Sequence, residues 1–145
     1  PTSIYKHPKT DFVFQFIGKS NSFEGIVTST DQKRIMVQAG QEVTSVSWDN
    51  VIGENRTFQK GDEVKLYIRP ENIHISESQE AVDGYELHPA KITQLNYLGT
   101  SWEIDVAFMG KSLQILTNEY RSSWKEGSEV FVGWKPQELK IIRKE

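Results

Sequence analysis

The chain has 145 residues, no cysteine, and a net charge of −3 from 17 basic and 20 acidic side chains. That length suits one domain or two small fused lobes, enough to bury a real core without staples. The missing cysteines exclude disulfides and thiolate metal sites, no apolar run nears the roughly 20 residues that span a bilayer, and lysines and arginines dispersed beside carboxylates argue against a nucleic-acid-binding face.

No basic stretch followed by an apolar signal segment opens the chain. It begins with Pro1 rather than Met, and we read it as a fragment of cytosolic type whose natural N-terminal part is missing. Residues 1–20 differ from the rest. Pro8 suits the first turn of a helix. Phe12, Val13, Phe16 and Ile17 then share one helical face, and Gly18 can end the helix in a left-handed conformation. A helix of about ten residues is marginal alone in water. It must dock on the β-body or on the missing portion.

From Phe23 onward the apolar period becomes two, the period of a strand with one face buried. Val64, Leu66 and Ile68 share a face, as do Val130, Val132 and Trp134. Apolar and acidic residues alternate from Trp102 to Val106, and Gly110-Lys111 turns the chain into a hairpin over 101–117. Gly40-Gln41 and Gly99-Thr100 are further turns. In all, ten short strands are expected near 23–29, 33–38, 43–48, 63–69, 72–76, 87–97, 101–108, 111–117, 129–135 and 138–142. Many short strands with glycine turns predict a sandwich or barrel. The polar stretch 76–84 is the expected linker.

The chain also repeats itself. GDEVKLYIRPENIHIS at 61–76 returns as GSEVFVGWKPQELKII at 127–142, an offset of 66 residues. This period is longer than that of solenoid repeats. It reads as two related β-units, about 22–77 and 86–143, sharing one core.

Chemical motifs are sparse. Gly18-Lys19-Ser20 resembles the end of a phosphate loop, but that loop needs an earlier glycine where Val13 stands. No serine sits in a nucleophile elbow. Asn55-Arg56-Thr57 matches a glycosylation sequon by chance. His7, His74 and His88 are far apart; His74, between Ile73 and Ile75, is expected on an outer strand face. It would ligate a metal only if folding brought acids close. Glu103 and Asp105 read as a solvated strand face. Trp102 and Trp134 take inward phases and belong to the core, whereas Trp48 and Trp124 are not assigned. One compact polar cluster remains, Arg69-Pro70-Glu71, with its copy Lys135-Pro136-Gln137. Proline closes the strand there. Arg69, Glu71, Lys135 and Gln137 are therefore the candidate contacts for a partner or a small anion.

The ordered set Ile4-Tyr5, Pro8, Phe12-Val13, Phe16-Ile17-Gly18, Asn21, Gly25, Arg69-Pro70-Glu71, Asn96-Tyr97-Leu98-Gly99, Gly127 and Trp134-Lys135-Pro136 resembles the C-terminal part of ABC-importer ATPase subunits. These carry a transport-associated OB (TOBE) domain after the nucleotide-binding domain. The polyamine and ferric-iron importers are the nearest in flavour. The resemblance implies an all-β, OB-fold or MOP-like barrel over 21–145, with 1–20 as the junction that leaves the ATPase domain. It implies a regulatory and dimer-stabilising role without catalysis of its own. ATP and magnesium would belong to the missing domain, and this fragment would hold no cofactor or metal. The implied partners are a second copy, the transporter's membrane subunits through the missing domain, and a possible small-molecule effector, at the cytoplasmic face of the membrane. A free-standing small-ligand or oxyanion-binding MOP-like barrel is the alternative.

Overall fold

In the computed structural model, which describes residues 20–53, 57–80 and 84–144, the period-two segments form ten strands. The first unit contains β1 (Asn21–Thr30), β2 (Arg34–Ala39), β3 (Glu42–Ser47), β4 (Glu63–Ile68) and β5 (His74–Ser76). The second contains β6 (Glu86–Tyr97), β7 (Trp102–Phe108), β8 (Lys111–Thr117), β9 (Glu129–Trp134) and β10 (Lys140–Arg143). Three single 3₁₀ turns complete it, η1 (Trp48–Asn50), η2 (Pro70–Asn72) and η3 (Pro136–Glu138). The N-terminal helix expected within 1–20, the sequon at Asn55 and the middle of the expected linker lie outside the described residues.

All ladders between named strands are antiparallel, and they form two five-stranded sheets. One runs β10-β4-β1-β2-β3 and the other β5-β9-β6-β7-β8. Each unit thus gives its last strand to the other's sheet. The exchange follows from the proline corners, which carry the chain off β4 and β9 and across the shared core. The units also share their irregularities. β1 bulges between Val27 and Ser29, and β6 between Ile92 and Gln94. At each bulge one backbone group pair is taken up from the other side: Gly61 N–H donates to Val27 O, and Gly127 N–H to Ile92 O. A bulge bends its strand sharply, which lets both sheets curl around one interior.

Period-two alternation decides what fills that interior. Val64, Leu66, Ile68, Val130, Val132 and Trp134 are all buried, as expected. Trp134 lies at the centre, with the Phe23 and Phe108 rings 5.5 and 5.6 Å away. Trp124 is also buried. Trp102 keeps its inward phase yet is only half-buried, stacked flat on Tyr120 at 4.0 Å at the end of the sheet. It is the first residue of β7 and packs against the core while partly exposed, so the expectation of a core tryptophan is corrected to one of its rim.

Candidate functional site

The repeated corners are built by proline. Pro70 and Pro136 each open a 3₁₀ turn, and the preceding Arg69 and Lys135 are extended, as a residue before proline prefers. Asn72 N–H closes the first turn on Arg69 O at 3.0 Å, and Glu138 N–H closes the second on Lys135 O at 2.8 Å. Glu138 also accepts from Lys135 N–H through its carboxylate at 3.1 Å. The acid that the second copy lacks at Gln137 is therefore present one residue later, as a turn cap.

The four candidate contacts have different fates. Lys135 lies over the Tyr85 ring, its Nζ 5.2 Å from the centroid. Gln137 is exposed, and its backbone carbonyl accepts from Asn50 Nδ2. Arg69 lies near Lys140, whose ammonium is pushed below the usual lysine range, first by burial and then by the Arg69 charge. Lys140 Nζ donates to Asn50 Oδ1 at 3.3 Å. The η3 corner is thus filled by Asn50 and Lys140, neither of which the sequence reading singled out.

The η2 corner is open. Glu71 lines a cleft of about 470 Å³ together with His74, Tyr85, Leu116, Glu119 and Glu138. No lysine or arginine is among its described lining residues. His74 is half-buried, as a residue of an outer strand face, with its ring 5.0 Å from that of Tyr85. Among the described residues no group of three or more histidine or acidic side chains could hold a metal ion.

A polar seam joins the two sheets at β3 and β6. The Glu86 carboxylate accepts from Thr44 Oγ1 at 2.6 Å, Ser45 N–H at 3.0 Å and Ser45 Oγ at 2.6 Å. Thr44 Oγ1 in turn accepts from Trp134 Nε1 at 2.9 Å. Beside it, buried His88 lies 2.8 Å from Glu42 through Nδ1 and stacks on Trp134 at 5.1 Å. Sequence reasoning missed this seam. The signal was present: strand phase carried back from Ile92 points His88 inward, where the matching residue of the first unit is Phe23.

A family described as "TOBE domain" matches residues 66–141, just over half of the chain. The "Spermidine/putrescine import ATP-binding protein PotA" of Clostridioides difficile (strain 630) is 30% identical over 145 residues, spanning 100% of this chain and 36% of that protein. The protein of the same name in Protochlamydia amoebophila (strain UWE25) is 39% identical over 79 residues, 54% of this chain and 20% of that one. The chain therefore spans only about a third or less of the length of these relatives. Among solved structures, the cytoplasmic molybdate-binding protein ModG superposes with a TM-score of 0.67 at 12% identity, covering 83% of this chain and 94% of that one. At that identity the likeness shows the fold alone, an OB- or MOP-like β-barrel.

Proposed function

This chain belongs to the TOBE-domain family, and from that premise we propose that it is the regulatory and dimer-stabilising extension of the ATP-binding subunit of an ABC importer, of the polyamine-transporting kind. The observation that carries this reading is the alignment of the whole chain with about a third of a spermidine/putrescine import ATP-binding protein. The rest of such a subunit would supply the nucleotide chemistry, and this extension none. Contact between two extensions would raise the local concentration of the two ATPase subunits, so that the nucleotide sandwich closes more readily without added chemistry. An effector seated on the barrel would bias open or closed dimers only by binding the two states differently. The subunit would work at the cytoplasmic face of the membrane, through its contacts with the membrane subunits. The described residues contain no helix long and apolar enough to cross a membrane.

The test is to restore the upstream sequence and compare ATPase activity, dimerisation and transport with and without residues 20–145. Weakened dimerisation or altered regulation is expected, with the nucleotide site still able to turn over. Unchanged behaviour in all three measurements would sink the proposal. The oxyanion-binding reading draws support only from the ModG fold. It is opposed by the cleft, whose three carboxylates, Glu71, Glu119 and Glu138, repel an anion. Calorimetry with molybdate, tungstate, sulfate and phosphate separates the two.

A further inference from the structure

The exposed apolar side chains of the barrel gather at one end. Among the described residues seven large apolar side chains are exposed, and four of them, Tyr97, Leu98, Leu116 and Tyr120, belong to this end. Tyr97 and Thr117 both pair with Trp102, so the end of β6, the start of β7 and the end of β8 lie side by side. The Tyr97 ring lies 5.1 Å from that of Trp102, and Tyr120 stacks on Trp102 from elsewhere in the chain. Leu98 sits on the turn that joins β6 to β7, closed by its N–H on Ser101 O at 2.9 Å. An apolar cluster of this kind on a domain surface marks a place where something docks.

The chain enters the barrel at the same end. Asn21, the first residue of β1, pairs with Ile68, the last of β4, and η2 begins two residues later. Glu71 and Asn72 of η2 share one cleft with Ser101 and Leu116. The Asn21 side chain is anchored on both backbone groups of Gln114. Leu116 lies two residues further along β8, about 7 Å from that anchor and on the same face as Gln114. Ile17 is three residues before Ser20, a reach of up to about 10 Å. The charges also match. Residues 1–19 carry Lys6, Lys9 and Lys19 against Asp11 alone. The cleft beside Leu116 is lined by Glu71, Glu119 and Glu138, with no lysine or arginine among its described residues.

We propose that residues 1–19 fold back onto this rim, laying the apolar face of Phe12, Phe16 and Ile17 against Leu98, Leu116 and Tyr120. Burial of apolar surface from both sides drives the contact. The lysines, meeting the acidic cleft, set which way the segment lies. The segment then acts as a strap that fixes the direction in which any upstream chain leaves the barrel. What such a strap does for an ATPase rests on the preceding proposal; the contact itself does not.

The chain has no cysteine, so introduced pairs report the contact in the full 145-residue protein. Val13→Cys with Leu116→Cys should form an intramolecular disulfide in air. Adding Phe12→Asp/Phe16→Asp to that pair should slow closure at least about tenfold, because the tether stays and only the apolar contact is lost. Val13→Cys with Val43→Cys, an exposed position on the first sheet, should close at least about tenfold more slowly than the rim pair. Tyr97→Cys offers a second rim position should Leu116→Cys disturb β8, which loss of cooperative melting in the reduced protein would reveal. Closure equally fast with the two aspartates, faster closure on Val43→Cys, or a disulfide formed only between two molecules would each overturn the proposal. A failed cross-link leaves the regulatory reading in place, and an ATPase indifferent to the extension leaves the strap in place.

Discussion

Glu86 shows how one side chain can tie two sheets together. It sits on β6 yet takes three hydrogen bonds from Thr44 and Ser45 on β3. Removing it leaves the Thr44 and Ser45 donors to find water in a seam where both residues are buried. Glu86→Ala is therefore expected to cost about 2–3 kcal/mol, by the penalty for orphaned buried groups, read as a lower denaturant midpoint with unchanged slope. Two aspartates respond to pH with opposite sign. Burial, with the Glu103 charge adding to it, holds the Asp105 carboxyl above the usual carboxylate range. The folded chain then keeps that proton more tightly than the unfolded one. Stability accordingly falls as pH rises from the ordinary carboxylate value through the raised one. Asp31 is held low, because the backbone N–H groups of Lys33 and Arg34 donate to its carboxylate. Its contribution is present above the ordinary value and is lost as pH falls through the lowered one. Thermal melts from about pH 3 to about pH 7 should show Asp105→Asn gaining on the parent as pH rises, and Asp31→Asn losing. Parallel curves would refute both assignments.

β3 and β8 each form one edge of a sheet, opposite β10 and β5 respectively, and an open edge invites pairing with another chain. Each is closed by a side chain from the other unit's first strand. Glu86 occupies Ser45 N–H on β3. Asn21 binds β8 at both backbone groups of Gln114, donating to its carbonyl at 2.8 Å and accepting from its N–H at 2.9 Å. Asn21→Ala should expose this edge. Faster amide exchange at Gln114, a loss of about 1 kcal/mol per hydrogen bond, and greater self-association by light scattering are expected. Unchanged protection at Gln114 would show that something other than this clip guards the strand.

At the scale of the molecule, the exchanged strands make the two units one folding entity. β10 completes the first sheet by pairing with β4, and β5 completes the second by pairing with β9. Ile141 on β10 and Ile75 on β5 are both buried in the common core. Arg143, at the end of β10, ties it further to the first unit through Asp62 at 2.8 Å. A polypeptide of residues 20–80 and one of 84–145 should each remain largely unfolded alone, because each lacks a core strand and exposes an apolar face. Mixing them should restore β-sheet circular dichroism and a cooperative melt. Independent cooperative melting of either piece would contradict the shared core.

All ten strands were legible in the sequence, because burying one face of a strand forces apolar residues to alternate and glycine or proline to mark the ends. The doubled unit was legible too, through identical residues such as Gly61 and Gly127 or Pro70 and Pro136. Of the site, the sequence marked the corners, since a basic residue before proline at a strand end is a local pattern. Which corner is open was decided only by the tertiary structure. Asn50 and Lys140 lie 90 residues apart, as do Trp134 and Thr44. Glu119 reaches the cleft of Glu71 only because β5 leaves its own unit for the other sheet. Local chemistry specifies elements; which distant side chains share a cavity depends on how two sheets curl around one core, and no short stretch of chain encodes that.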